Sequence, residues 1–155
     1  MHIVLHEPEI PQNTGSISRT CLLTDTKLHL IRPLGFSIEE KYLLRSGLDY
    51  WSHLDVQYYD NFEHFVEVNN NPLIFMSSTK GMKLYTEFKY PVNAYIMFGK
   101  ESAGIPRYIL DQYRATTLRI PMCEKVRESR SLNLSNAVSI VLYEALRQND
   151  FNNMG

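Results

Sequence analysis

Short apolar runs alternate along this chain with stretches of helical periodicity, and turn residues fall between them. Residues 3–5, 27–31, 56–59, 73–76, 94–98 and 117–120 read as strands, and 62–68 reads as a helix between the third and fourth. Near the C-terminus Leu134, Ala137, Val138, Val141, Leu142 and Ala145 recur at helical spacing. The sum is a βαβα order, which predicts an α/β fold on a mostly parallel sheet. No internal repeat and no linker interrupts it.

The punctuation refines this picture. Residues 7–15 hold two prolines, which forbid regular pairing, and Asn13 reads as the N-cap of a helix from about 15 to 23 that carries Ile17 and Cys21 on one face. Ser37, Ile38, Glu39 and Glu40 form an S-x-x-E capping box for a further helix that Gly47 can end. Ile140, Tyr143 and Leu146 lie off the main stripe of the last helix. One sheet cannot cover both faces, so a second copy of the chain, or a neighbouring loop, is expected there.

Composition adds exclusions. With 155 residues, 44% apolar and 21% charged, the chain is one globular domain with enough apolar surface for a core. Its net charge of −1 excludes nucleic-acid binding by bulk electrostatics and leaves only a local basic face. Cys21 and Cys123 are too few for a disulfide framework and too far apart for a metal finger, so a reducing, cytoplasmic setting is the expectation. The first residues show neither a signal peptide nor a membrane anchor. The five histidines have no ligand spacing, and no metal is expected.

Ligands of open parallel sheets bind beyond the carboxyl ends of strands, which directs attention to three loops. The first holds Asn13 and Arg19. The second is 98–106, where Gly99 allows close backbone approach and Glu101 sits between strand end and helix start. The third runs from Ile120 through Met122 to Ser131 and Asn133. Ser77 to Gly81 leaves another strand, yet it lacks the order of a phosphate loop and by itself reads as a solvated turn. Ser102 lacks the first glycine of a nucleophile elbow, because Lys100 stands there. No dinucleotide fingerprint follows the first strand.

Taken together, Asn13-Thr14-Gly15 with Arg19, then FGKESAGIP, then RIPM and RSLNLSNAVSIVLYEAL resemble the three motifs of the SPOUT superfamily in its SpoU-like branch. HEPEIPQNTG, RPLGF and GLDYW are similar to the small wobble-nucleotide tRNA 2′-O-methyltransferases of that branch. The resemblance spans most of the chain in the right order. It implies a single SPOUT domain over 1–155 without an appended RNA-binding domain, and a parallel-sheet α/β knot with a deep C-terminal trefoil. It also implies S-adenosylmethionine as methyl donor, the ribose of tRNA position 34 (cytidine or modified uridine, in leucine isoacceptors) as acceptor, the anticodon stem-loop as partner, and a homodimer.

By motif position, Asn13, Arg19, Glu101, Ser131 and Asn133 match the family's functional polar set, and Ser77, Gly99, Ile120, Met122, Ser131 and Leu132 match its cofactor contacts. Family proposals make Arg19 the base. A guanidinium is effectively always protonated, so electrostatic positioning is the better physical role, with Glu101 orienting Arg19 or the ribose. Tyr143 matches a family tyrosine and reads as interface packing. The stretch 123–130 exceeds the usual length of this branch and leaves the alignment before Ser131 ambiguous.

A basic face would draw on Arg19, Lys41, Arg45, Lys80, Lys83, Arg107, Arg127 and Arg130. Trp51 reads as core rather than as a stacking surface for a base. Competing readings are a methyltransferase for another tRNA or rRNA ribose, a cofactor-binding protein that recognises RNA without modifying it, and a serine hydrolase through Ser102.

Overall fold

The computed structural model describes residues 1–37, 51–123, 125, 131–152 and 154–155. The capping-box helix expected after Ser37 lies outside the described residues. Strands β1 (His2–His6), β2 (Lys27–Ile31), β3 (Val56–Tyr59), β4 (Ile74–Ser77), β5 (Lys83–Leu84), β6 (Tyr95–Phe98) and β7 (Thr117–Arg119) form one sheet in the order β3-β2-β1-β6-β4-β7-β5. Every pairing is parallel, with Ile3 beside Leu28 on one side and Ile96 on the other. The helices are α1 (Pro11–Leu23), α2 (Phe62–Val68), α3 (Arg107–Gln112) and α4 (Leu134–Gln148). This is the α/β architecture that the alternation predicts. Among the described residues no helix is long and apolar enough to cross a membrane.

Parallel strands must be covered on both faces, and two apolar clusters do this. Ile3, Leu5, Leu28, Leu30, Ile96 and Phe98 face Ile17 and Cys21 of α1 and Val138, Val141, Leu142 and Ala145 of α4. Val4, Ile74, Met76 and Met97 face Phe62 and Phe65 of α2 and Ile109 of α3. Each fully buried Ile, Leu or Phe contributes about 1.5–3 kcal/mol, so the strands are held chiefly by their side chains. Of the three residues off the α4 stripe, Leu146 is buried within the chain, Ile140 is half-buried, and Tyr143 stays 45% exposed. Trp51 packs against the first cluster, as expected.

The start of α1 corrects the sequence reading. Ile10, not Asn13, is the N-cap, Pro11 occupies the first turn, and Asn13 is buried inside the helix. Ile10 has no side chain to cap with; its carbonyl takes the Asn13 and Thr14 amides, and its own amide is bound from elsewhere in the fold, as described below. At α2 the local rule holds, since the Asn61 side chain accepts from the His64 amide at 2.8 Å. Strand β5 and helix α3 complete the sheet order without a strong periodic signal of their own.

A polar chain crosses the sheet from the amino ends of β1 and β6 to the carboxyl end of β3. His2 Nδ1 lies 2.9 Å from His29 Nε2, and His29 Nδ1 lies 2.8 Å from the Tyr59 hydroxyl. Asn69 then donates to Tyr59 at 3.2 Å and accepts from the Tyr95 hydroxyl at 3.1 Å, tying the end of α2 to the sheet. Burial, and then its neighbour His2, push the His29 pKa down to about 3; burial and the nearby amino terminus push His2 down to about 4. The unfolded chain takes up protons at both rings below about pH 6.5, where the folded protein does not. Stability is therefore expected to fall as pH drops from about 6.5 towards 3 and to level off below. Urea unfolding across this window should show the loss, with a shallower pH slope in His29→Gln whatever its absolute stability.

Candidate functional site

The carboxyl ends of β6, β4 and β7 open onto a cavity of about 470 Å³. All six residues expected to contact a cofactor, Ser77, Gly99, Ile120, Met122, Ser131 and Leu132, line it. So do four of the five residues of the expected polar set, Asn13, Glu101, Ser131 and Asn133. Chain segments more than a hundred residues apart meet here because β1, β6, β4 and β7 are neighbours in the sheet. Arg19 is exposed on α1 and is not among the residues that line the cavity.

The loop after β6 is built on close backbone approach. A Cβ on Gly99 would meet the carbonyl carbon of Gly104 at 2.0 Å and the nitrogen of Ile105 at 2.1 Å. Gly104 takes φ +72°, which permits its amide to donate to the Lys100 carbonyl at 2.8 Å and close the turn. Phe98 and Ile105 supply apolar wall beside these exposed backbone groups.

Glu101, on this turn, reaches back across the sheet top. Its carboxylate accepts from the amides of Glu9 at 2.8 Å and Ile10 at 3.2 Å, and from the Asn13 side chain at 2.9 Å. It thereby holds the amides that lead into α1 and places beside its first turn the negative charge that the turn lacks. Asn13 in turn accepts from the Asn133 side chain at 2.9 Å, and Asn133 caps α4 by accepting from the Ser135 amide at 2.9 Å. The three motif segments are thus one hydrogen-bonded chain. Both Glu101 oxygens bond the segment from Glu9 to Asn13.

Two further links fasten the same loops. Glu9 accepts from the Ser102 amide at 2.9 Å and its hydroxyl at 2.8 Å, and these bonds lower the Glu9 pKa. Lys100 lies 2.9 Å from Glu7, whose carboxylate raises the lysine pKa. Ser102 is therefore held by a carboxylate, which leaves the hydrolase reading without support. Sequence reasoning misses Glu9, because a partner 93 residues away is not visible in local spacing. Ser78, Thr79 and Lys80 also line the cavity, although their segment alone reads as a turn.

Comparison with known proteins matches residues 1–143 to the SpoU rRNA Methylase family. The tRNA (cytidine(34)-2′-O)-methyltransferase of Escherichia coli K12 is 46% identical over 149 residues, covering 96% of this chain and 93% of the relative. A solved structure from work on 2-OH methylation of C/U34 on tRNA superposes with a TM-score of 0.87 at 43% identity, covering 96% of this chain and 95% of that one. The SpoU methyltransferase AviRb of Streptomyces viridochromogenes, solved in complex with AdoMet, shares the fold with a TM-score of 0.80 at 22% identity, over 97% of this chain and 58% of its own. With its three motif segments gathered at one cavity and its length matched nearly end to end, the chain belongs to the SpoU rRNA methylase family.

Proposed function

We propose that the protein methylates the 2′-hydroxyl of the wobble nucleotide, position 34, of tRNA with S-adenosylmethionine as donor. The observation that carries this reading is the convergence of all six expected cofactor contacts on the cavity that Asn13, Glu101 and Asn133 border. The Escherichia coli relative is named for this reaction at cytidine 34, and the solved relative comes from work on C/U34. The leucine isoacceptors follow from the resemblance in the motifs.

The residues fit the donor. A volume of about 470 Å³ lies within the rough range of 300–1,000 Å³ of small-molecule sites, and the wall at Gly99–Ile105 offers backbone groups where any larger residue at 99 would collide. Gly99, Ile120, Met122 and Leu132 would hold the donor from the strand ends, with Ser77 and Ser131 supplying hydroxyls. Bound there, S-adenosylmethionine supplies an electrophilic methyl on a sulfonium sulfur. The half-apolar pocket keeps water from competing with the ribose oxygen. Asn13 and Asn133 fix the wall on the acceptor side, and Glu101 holds Asn13.

Arg19 acts by stabilising negative charge as it develops on the ribose oxygen, or by gripping a phosphate. Its exposure away from the cavity of its own chain fits a homodimer in which α1 brings it to the cavity of a second copy. Leu23 on α1 and Tyr143 on α4 are 71% and 45% exposed on two helices that pack together, and a second copy would cover them. The 155 residues act as a single SPOUT domain, and the chain after β6 is threaded as a trefoil knot. The order β4-β7-β5 at the sheet edge, with α4 returning against β6, is compatible with that threading. Buried Cys21, its thiol pushed up to about 12 by burial, and unbridged Cys123 suit a reducing cytoplasm.

Labelled S-adenosylmethionine incubated with tRNA from cells lacking this activity should yield a 2′-O-methyl at position 34, mapped by nuclease digestion and mass spectrometry. Label at another nucleotide would overturn the substrate, and absence of transfer would overturn the activity. Two variants should separate binding from chemistry. Gly99→Ala is expected to lose donor binding by calorimetry, since its Cβ displaces the turn at Gly104. Arg19→Lys should bind donor normally while kcat/KM for tRNA falls by roughly 10²-fold or more, the scale of a lost charge-stabilising group. Near-normal turnover in Arg19→Lys would remove it from the reaction.

A further inference from the structure

Apart from Arg19, the described cations divide into paired and unpaired. Lys27, Arg32, Lys100, Arg107, Arg114 and Arg147 each lie 2.8 to 3.7 Å from a carboxylate oxygen. Lys80, Lys83, Lys89, Arg119 and Lys125 have no ion pair with a described residue, and all five fall between positions 80 and 125. Four of them gather along one side of the sheet. Lys80 lines the cavity where the chain leaves β4. Lys83 and Leu84 form β5, the end strand, and pair in register with Leu118 and Arg119 of β7, one residue before the cavity residue Ile120. The Lys83 ammonium lies 5.7 Å over the ring of Phe88, next to Lys89 in the chain. Between Val68 and Lys100 the one acidic residue is Glu87, and its carboxylate is turned onto the Leu84 amide.

An overall charge of −1 hides these four cations, which no described acid pairs and which leave the β5 side of the sheet positive. A lysine on an end strand discourages edge-to-edge pairing, which accounts for Lys83 alone. It does not account for Lys80, Lys89 and Arg119, which extend the positive strip from the cavity mouth outward. A strip of unpaired cations leading away from a site that takes one nucleotide is complementary to a polyanion continuous with that nucleotide.

We propose that the β5 edge, through Lys80, Lys83, Lys89 and Arg119, carries the phosphodiester backbone of the RNA strand that enters the cavity. The inference rests on the ribose-methylation reading and says where the RNA runs.

The test measures binding of an anticodon stem-loop RNA to the full chain across a salt series, for the native protein, Lys83→Ala/Lys89→Ala, and the control Arg107→Ala/Arg114→Ala. Every phosphate that the protein ceases to neutralise should flatten the slope of log K against log salt by about 0.7–0.9. The edge variant is therefore expected to bind more weakly with a slope flatter by roughly 1.5, and the control to match the native protein. An unchanged slope in the edge variant, beside normal methyl transfer by the native protein, would overturn the edge proposal and leave the activity standing. The edge proposal also falls if the variant self-associates in sedimentation with RNA binding intact, since the lysines then serve only to block strand pairing. Weakened binding of polyglutamate with unaltered RNA binding would assign the edge to an acidic protein and overturn the proposal too. If the native protein neither binds nor methylates tRNA, the reading beneath the proposal falls with it.

Discussion

The Glu101 carboxylate accepts three hydrogen bonds from the loop that follows β1, two from backbone amides and one from Asn13. A helix entered through Ile10-Pro11 has no capping side chain of its own, and the amides that lead into it are held from 91 and 92 residues away. The carboxylate is carried on the closed turn at Gly99–Gly104, directly after the strand β6 that pairs with β1. The same carboxylate sets Asn13, which engages Asn133 and through it the start of α4. One negative charge therefore orders the cavity wall, and the site cannot form without the sheet beneath it.

Around this anchor the architecture is conservative. The central strands are buried on both faces and pack by side-chain volume, which leaves their carboxyl ends free to carry polar loops. Under the proposed function, backbone groups meet much of the donor. This explains why glycine at 99 and apolar residues at 120, 122 and 132 suffice for much of the pocket. The run from His2 through His29 to Tyr59 is the opposite arrangement, a closed chain of neutral histidines and tyrosines that consumes its polar groups internally.

The sequence is legible wherever burial imposes a period. Strands β2 and β3 and helix α2 have the bounds that the pattern predicts, and α4 follows its apolar stripe. It is illegible where a tertiary partner replaces a local signal. Local spacing puts the cap of α1 on Asn13 because Asn is the usual capping residue, whereas Ile10 is the N-cap and its amide is held by Glu101. A two-residue strand such as β5 has no period to read, and Glu9 gains its role only when Ser102 is brought to it. The motif residues themselves are legible through family resemblance, not through spacing. Of the cations named as a possible basic face, Lys80 and Lys83 stand unpaired by any described acid while Arg107 is matched to Asp111, a distinction that needs the fold.

If Glu101 works by holding the first loop, its effect on the reaction passes through that loop. Hydrogen exchange of the Glu9 and Ile10 amides, measured in native protein and Glu101→Gln alongside methyl transfer, tests this most directly. Exchange at one amide at least should quicken together with the fall in transfer, because Gln keeps one acceptor oxygen where the carboxylate uses two. Loss of transfer with exchange unchanged would contradict the account and place Glu101 on the substrate itself.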